Sequence, residues 1–163
     1  MTDDRVFVAE HVVSTLRERA EASMPLETGG VLVGVLQDDE PWITHAVEVI
    51  DDRRTSSSFE IPKGVTPYAV ELAQQQDPRV GLIGMWHSHP ANVGASPTDK
   101  ATLNRNAKRR KRPKNVPAVM IVVRDTGDGW VLDVLRDKGH GPARAEIVLT
   151  GPMGPEEVSH DAK

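Results

Sequence analysis

The sequence predicts a mixed α/β (α+β) fold, and three observations support this prediction. The chain has 163 residues, enough for one domain with a sizeable core but short for two. Hydrophobic residues make up 38% and charged residues 27%, as is typical of a globular protein. Segments with helical spacing alternate with segments typical of buried strands. We expect residues 1–150 to form a single domain and residues 151–163 a flexible tail.

The first half of the chain predicts two helices and two strands. Apolar residues recur on one side of residues 9–23, which indicates a helix. Residues 29–37 are rich in β-branched side chains and predict a buried strand, and residues 42–50 alternate as a second strand does. A further helix is predicted over residues 65–76, and it ends before Pro78 because the residue preceding a proline disfavours the helical region.

The second half predicts a strand, a helix and then three more strands. Residues 79–89 have the composition of a strand, and residues 97–110 that of a helix. Residues 116–125 and 130–136 are two strands joined by the turn sequence TGDG. Residues 143–150 are a candidate last strand.

The composition limits the chemistry and the location of the protein. It contains no cysteine, which excludes disulfides and cysteine-based zinc sites, so any metal needs His, Asp, Glu or water as ligands. The longest nearly apolar run, residues 116–123, is far too short to span a membrane. The N-terminus lacks the basic start and apolar stretch of a signal peptide, and we therefore expect a cytoplasmic protein.

Two histidines at the end of a predicted strand are the first candidate ligands. His87 and His89 are two residues apart, and residues at this spacing point to the same face of a strand. Both imidazoles can therefore face one ion, while Ser88 points away. Taken alone, the pair is equally compatible with a half-exposed strand that binds no metal.

A third candidate ligand follows at the start of the next predicted helix. Ser96 has the position of an N-cap, Pro97 that of the first helical residue, and Asp99 follows in the first turn. This sequence is also a good capping motif without any metal, since an acidic residue there complements the helix dipole. Two His and one Asp nevertheless supply the three protein ligands that a catalytic zinc site needs.

These residues resemble the JAMM motif of the MPN-plus (JAB-type) metalloproteases. The match consists of HSHP at residues 87–90, followed by Ser96 and Asp99, and of ETGGVLVG at residues 27–34, which resembles the segment around the catalytic glutamate of that family. Six residues separate His89 from Ser96, one fewer than in the eukaryotic pattern. The resemblance spans roughly residues 5–135 and points to the compact prokaryotic branch of the family.

The resemblance implies a fold, a metal and a division of roles. The implied MPN/JAMM fold, which is cytidine-deaminase-like, has a central mixed β-sheet flanked by helices. His87, His89 and Asp99 would be the ligands of Zn²⁺, and Glu27 the general base. Ser96 would help to stabilise the tetrahedral intermediate.

The resemblance also implies a reaction and partners. The reaction would be hydrolysis of the isopeptide or peptide bond after the C-terminal glycine of a ubiquitin-like protein, that is, deconjugation. E1-like or E2-like proteins of the same operon are possible partners, and antiviral defence of the CBASS type is a possible setting. Two alternatives stay open: trimming of a sulfur-carrier or ubiquitin-like precursor, and a catalytically silent MPN scaffold that only binds.

Two further features have more than one interpretation. The basic run at residues 108–114 holds six positive charges and fits either a solvated helix end or a patch for an anionic partner. Because no aromatic residues are interleaved with these charges, nucleic-acid binding is the weaker hypothesis for this patch. Gly29 and Gly30 fit either a plain loop-to-strand junction or a close approach of two backbones.

Overall fold

A computed structural model describes residues 4–109 and 116–152 of the chain. The elements in chain order are β1 (Arg5–Ala9), α1 (Glu10–Ser23), β2 (Gly29–Gln37), β3 (Glu40–Val49), α2 (Thr66–Gln76), β4 (Gly81–His89), α3 (Pro97–Arg109), β5 (Ala118–Asp125), β6 (Trp130–Asp137) and β7 (Ala143–Thr150). All helices and strands predicted from the sequence are confirmed, including the last strand, with boundaries shifted by a few residues.

Strand β1 is the element that the sequence analysis missed. It is only five residues long and runs directly into α1, with no turn residues to separate the two. Val6 and Val8 are buried on one face, which is the alternation expected of a strand. Five residues are too few for this pattern to stand out beside a long helix.

The sheet is mixed and flanked by helices, as predicted, but it closes into a barrel, which the prediction of a central mixed sheet did not include. The strand order is β1-β3-β2-β4-β5-β6-β7. Strand β1 pairs in parallel with both β3 and β7, which joins the two edges of the sheet. Closure was not foreseen because it depends on the strand that was missed.

The helices cover both faces of the curved sheet. One side chain face of α1 packs into a buried cluster with residues of β1 to β6, including Leu16, Leu32, Trp86 and Ile121. The opposite face of the sheet is covered by α3, through Leu103, and by α2. The two faces of β5 show the alternation most clearly, since Val119, Ile121 and Val123 face α1 while Ala118, Met120 and Val122 face α3.

Two predictions concern residues that lie partly outside the described ranges. Within the basic run, only Lys108 and Arg109 at the end of α3 are described. Of the expected tail, only residues 151 and 152 are described. Within residues 4–109 and 116–152, none of the helices is both long enough and apolar enough to cross a membrane.

Candidate metal centre

His87 and His89 lie at the C-terminal end of β4 and turn their side chains to the same face of the strand. Their Nε2 atoms are 3.1 Å apart, and each residue is only 8% exposed. Ser88, between them, points to the opposite face and is fully buried. The structure therefore brings the two predicted histidine ligands together, as their spacing indicated.

Asp99 reaches the histidines from the first turn of α3. Its backbone N–H donates to Ser96 Oγ at 3.0 Å, and its Oδ2 accepts the backbone N–H of Ser96 at 2.9 Å. This reciprocal capping fixes the carboxylate at the helix start. The same Oδ2 lies 3.3 Å from His87 Nε2 and 3.6 Å from His89 Nε2. The capping interpretation and the ligand interpretation of Asp99 are thus compatible, because one carboxylate serves in both arrangements.

The spacing of these three atoms fits a single tetrahedral metal ion. The separations are 3.1, 3.3 and 3.6 Å. Bonds of about 2.0–2.2 Å at tetrahedral angles would place ligand atoms roughly 3.3–3.6 Å apart. His87, His89 and Asp99 could therefore hold one ion without a large rearrangement, and a fourth position would stay open toward the cleft.

Glu27 also lies beside the histidines, two residues before the start of β2. It is buried, and its Oε2 is 3.9 Å from His89 Nε2. Ligand atoms of Glu27, His87 and His89 all lie within 4.8 Å of one another, so this group could also hold an ion. The structure thus brings together all four predicted carboxylate and imidazole side chains, and their division into ligands and base is taken up below.

The two carboxyl groups have pKa values that are moved in opposite directions. Burial raises the pKa of Glu27 to about 7; the charge of His89 lowers it and that of Asp99 raises it further. Burial would also raise the pKa of Asp99, but the hydrogen bond and charge of His87 and the hydrogen bonds with Ser96 bring it below its usual range. At neutral pH Asp99 is therefore ionised, as a ligand must be, while Glu27 is poised to take up or release a proton.

A hydrogen-bond network that the sequence analysis missed, with the buried residues Thr28 and Ser88 at its centre, holds Glu27 in place. Its backbone N–H donates to the carbonyl of Thr55 at 2.8 Å. The next residue, Thr28, donates its N–H to Ser88 Oγ at 2.9 Å and accepts the N–H of Ser88 at 2.7 Å. Thr28 Oγ1 also donates to Glu48 Oε2 at 2.6 Å. From the sequence, only the position of Ser88 between the two candidate histidine ligands could have indicated this network.

The loop after β4 fixes the tautomer of His89. Nδ1 of His89 lies 2.8 Å from the carbonyl oxygen of Val93. Because a carbonyl oxygen only accepts hydrogen bonds, Nδ1 must carry the proton, and in the neutral imidazole Nε2 is then free to bind a metal. Metal-bound histidines commonly make such a hydrogen bond with their other nitrogen.

The centre opens into a cleft of about 540 Å³. The segment 56–60 forms one wall, and the loop after β4 forms another. Glu27, Ser96 and the candidate ligands line its floor. A chain segment that entered this cleft would meet the four titratable side chains directly.

The sequence belongs to the family of prokaryotic homologs of the JAB domain, which matches residues 9–133. The family resemblance seen in the sequence is thereby confirmed. The fold is also similar to the solution structure of protein DSY2949 from Desulfitobacterium hafniense, with a TM-score of 0.61 and 17% sequence identity, covering 91% of this chain and 95% of that one. At this identity the likeness concerns the fold alone. No curated protein was found to match the chain.

Proposed function

We propose that the protein is a zinc-dependent isopeptidase or peptidase that cleaves after the C-terminal glycine of a ubiquitin-like protein. One observation carries the proposal. Three potential ligand atoms with spacings of 3.1, 3.3 and 3.6 Å meet a fourth, buried carboxyl group whose pKa is raised to about 7. A binding scaffold has no use for this combination, whereas a metal-dependent hydrolase uses the ligands to hold the ion and the nearby carboxyl group to move a proton.

In this proposal His87, His89 and Asp99 hold the ion, and Glu27 is the base. When bound, zinc supplies a Lewis acid that lowers the pKa of water and polarises the carbonyl to be attacked. Glu27 takes the proton from the attacking water at a carboxylate oxygen and delivers it to the nitrogen of the leaving amine. A carboxyl group with a pKa near neutrality is suited to both transfers.

Ser96 would stabilise the negative charge that develops on the carbonyl oxygen. Its Oγ accepts the N–H of Asp99 at 3.0 Å, which occupies a lone pair and leaves the hydroxyl hydrogen free to donate. Ser96 lines the same cleft as the ligands. A donor aimed at the developing oxyanion is typically a large contribution to catalysis.

The substrate class rests on family membership and on the form of the cleft. The cleft, which is lined by the segment 56–60 and the loop after β4, has a volume of about 540 Å³ and thus room for an extended chain end such as a diglycine tail. The same chemistry would serve deconjugation from a lysine and trimming of a sulfur-carrier or ubiquitin-like precursor. We further propose a cytoplasmic location, E1-like or E2-like partner proteins, and antiviral defence as the setting.

The first experiment measures bound metal by elemental analysis of protein purified without chelator. About one zinc per chain is expected, and the His87→Ala/His89→Ala variant should contain none. A peptide that ends in two glycines and carries a fluorogenic amine then tests hydrolysis. We expect cleavage by the zinc-loaded wild type but not by zinc-loaded Glu27→Gln. A wild type that retains no metal after zinc is added back would contradict the proposal and favour the scaffold.

A further inference from the structure

We propose that Arg124 is a positioning residue for the metal centre, because it holds the loop that fixes the tautomer of His89. This inference rests on the proposed metal-binding role of His89. The loop in question comprises residues 90–95, between β4 and α3, and is called the His89 loop below. Arg124 is not one of the candidate metal ligands and does not line the cleft. It would act on His89 through Asn92 and Val93.

Arg124 is anchored at the end of β5 by a two-point ion pair. Its Nε donates to Asp133 Oδ2 at 2.6 Å, and its Nη2 lies 3.3 Å from Asp133 Oδ1. The side chains are largely buried, with 24% of Arg124 and 12% of Asp133 exposed. Two parallel contacts fix the plane of the guanidinium and hence the direction of its remaining nitrogen.

The remaining nitrogen of Arg124 points to the His89 loop. Nη1 donates to Asn92 Oδ1 at 2.6 Å. The backbone of Arg124 is in register with His89 on the neighbouring parallel strand β4. The arginine side chain therefore begins next to the end of β4, where the His89 loop starts. Gly94 of the same loop also lies against Asp133, since a Cβ built there would be 3.5 Å from Asp133 Oδ2. The ion pair therefore holds the loop through Asn92 and lies close to Gly94.

The held loop presents the carbonyl that His89 requires. The N–H of Val93 donates to the carbonyl of Ala91 at 2.8 Å, which forms a tight turn centred on Asn92. The carbonyl of Val93 then accepts the N–H of His89 Nδ1 at 2.8 Å. The Val93 side chain is 57% exposed, so packing of that side chain contributes little to holding this turn. The contact of Arg124 with Asn92 is accordingly what we expect to fix the turn.

The competing interpretation is that Arg124 and Asp133 form an ordinary cross-strand ion pair that only stabilises the sheet. Two variants separate the interpretations. Asn92→Ala removes the loop contact but leaves the ion pair and the strands intact, and because Asn92 is exposed, the variant should fold normally. Arg144→Ala is the matched control, since Arg144 also lies 3.4 Å from Asp133 Oδ1 but is 80% exposed and belongs to β7.

The test has two readouts on the purified chain. Zinc affinity is measured by competition with a chromogenic chelator, and we expect it to fall about tenfold in Asn92→Ala and in Arg124→Ala, as for loss of an outer-shell partner. Arg144→Ala should bind zinc as the wild type does. Asn92→Asp keeps an oxygen for Arg124 and should restore the affinity lost in Asn92→Ala. Wild-type affinity in both Asn92→Ala and Arg124→Ala would overturn the proposal.

The second readout needs no metal and no substrate. Long-range ¹H–¹⁵N NMR spectra of the metal-free protein, at about pH 8.5 and thus well above the ordinary histidine pKa of about 6.5, report which nitrogen of His89 carries the proton. We expect the Nδ1–H tautomer in wild type and Arg144→Ala, and a mixture in Asn92→Ala. An unchanged tautomer in Asn92→Ala would contradict the inference. A protein without peptidase activity would contradict the proposed function but leave this result standing.

Discussion

The hydroxyl of Ser88 accepts a hydrogen bond from the backbone N–H of Thr28 at 2.9 Å, in the fully buried space between β2 and β4. Ser88 stands between the two candidate histidine ligands, and Thr28 follows the candidate base Glu27. This bond therefore links the strand that would carry the metal to the residue beside the base. The two halves of the site come from segments 60 residues apart in the sequence, and this side chain is one of the contacts that join them.

We expect Ser88→Ala to lower both stability and turnover while the metal content stays near that of the wild type. The change leaves the N–H of Thr28 buried without this partner, which costs about 1–3 kcal/mol in the free energy of unfolding. It also frees Glu27 to shift, and small misplacements of a catalytic group reduce turnover by about tenfold or more. Urea unfolding and hydrolysis of the diglycine amide are the measurements. The control is Ser14→Ala, at an exposed position of α1; if Ser88→Ala behaved like this control, the bond would have no positioning role.

Asp99 and Ser96 form one capping motif, yet we expect their variants to fail in different ways. Asp99→Asn keeps an oxygen that can accept the N–H of Ser96. It loses the charge beside His87, so the metal-free variant should be less stable than the wild type but still folded. It lacks the charge of a ligand, so zinc affinity should fall by more than the roughly 10–100-fold cost of losing an outer-shell partner. Ser96→Ala loses the acceptor of the Asp99 N–H, which should lower stability by about 1 kcal/mol. It should still bind zinc while hydrolysis slows. Equal zinc affinities for Asp99→Asn and Ser96→Ala would show that Asp99 is not a ligand.

The raised pKa of Glu27 predicts a pH-dependent stability of the metal-free protein. The ordinary pKa of 4.5 applies to the unfolded chain and a value of about 7 to the folded one. The folded state thus favours the protonated form, and this contribution to stability is complete below pH 4.5 and is lost as the pH rises through 7. Asp99 contributes in the opposite sense, because its pKa is lowered in the folded state. Its contribution to stability is fully present above the ordinary pKa of 3.8 and is lost as the pH falls below that value.

Glu27→Gln isolates this effect, since glutamine stays neutral at every pH. With a chelator present, the free energy of unfolding of the variant should rise relative to the wild type between pH 4.5 and 8. The expected change is on the order of 3 kcal/mol at most, at about 1.4 kcal/mol for each pKa unit. Glu18→Gln, at an exposed position of α1, should show no such trend. A constant difference between Glu27→Gln and the wild type across this range would contradict the raised pKa.

Where the pattern is local, the sequence was sufficient to predict the elements and the proximity of the candidate ligands. His87 and His89 are close because of strand geometry, and Asp99 is fixed by a capping motif that can be recognised within four residues. Glu27, in contrast, comes to the histidines through the pairing of β2 with β4, in which Gly29 is opposite His87. No spacing rule predicts that pairing, and it was family resemblance that indicated Glu27.

The features that were missed depend on contacts between distant segments. Closure of the barrel requires β1, whose five residues pair with β3 and β7. The contact of Arg124 with Asn92 joins the end of β5 to a loop 32 residues earlier. Neither residue type is unusual at its position, because an arginine at a strand end and an asparagine in a turn are common. Their roles become visible only when the strand order is known.

The structure favours one of the two interpretations of the glycines at the start of β2, namely close backbone approach. A Cβ on Gly30 would overlap the carbonyl oxygen of Val47 on β3. We therefore expect Gly30→Ala to destabilise the protein by about 1–3 kcal/mol or more, as overpacking in a core does, and to disturb Glu27 through the displaced strand. The control is Gly81→Ala at the start of β4, where a Cβ would meet nothing within 4 Å and the conformation needs no glycine. That change should be neutral or slightly stabilising, because alanine restricts the unfolded chain. Thermal unfolding of the two variants decides the point: a Gly30→Ala protein that melted like Gly81→Ala would show that β2 and β3 can separate at Gly30, and that the plain-junction interpretation is sufficient.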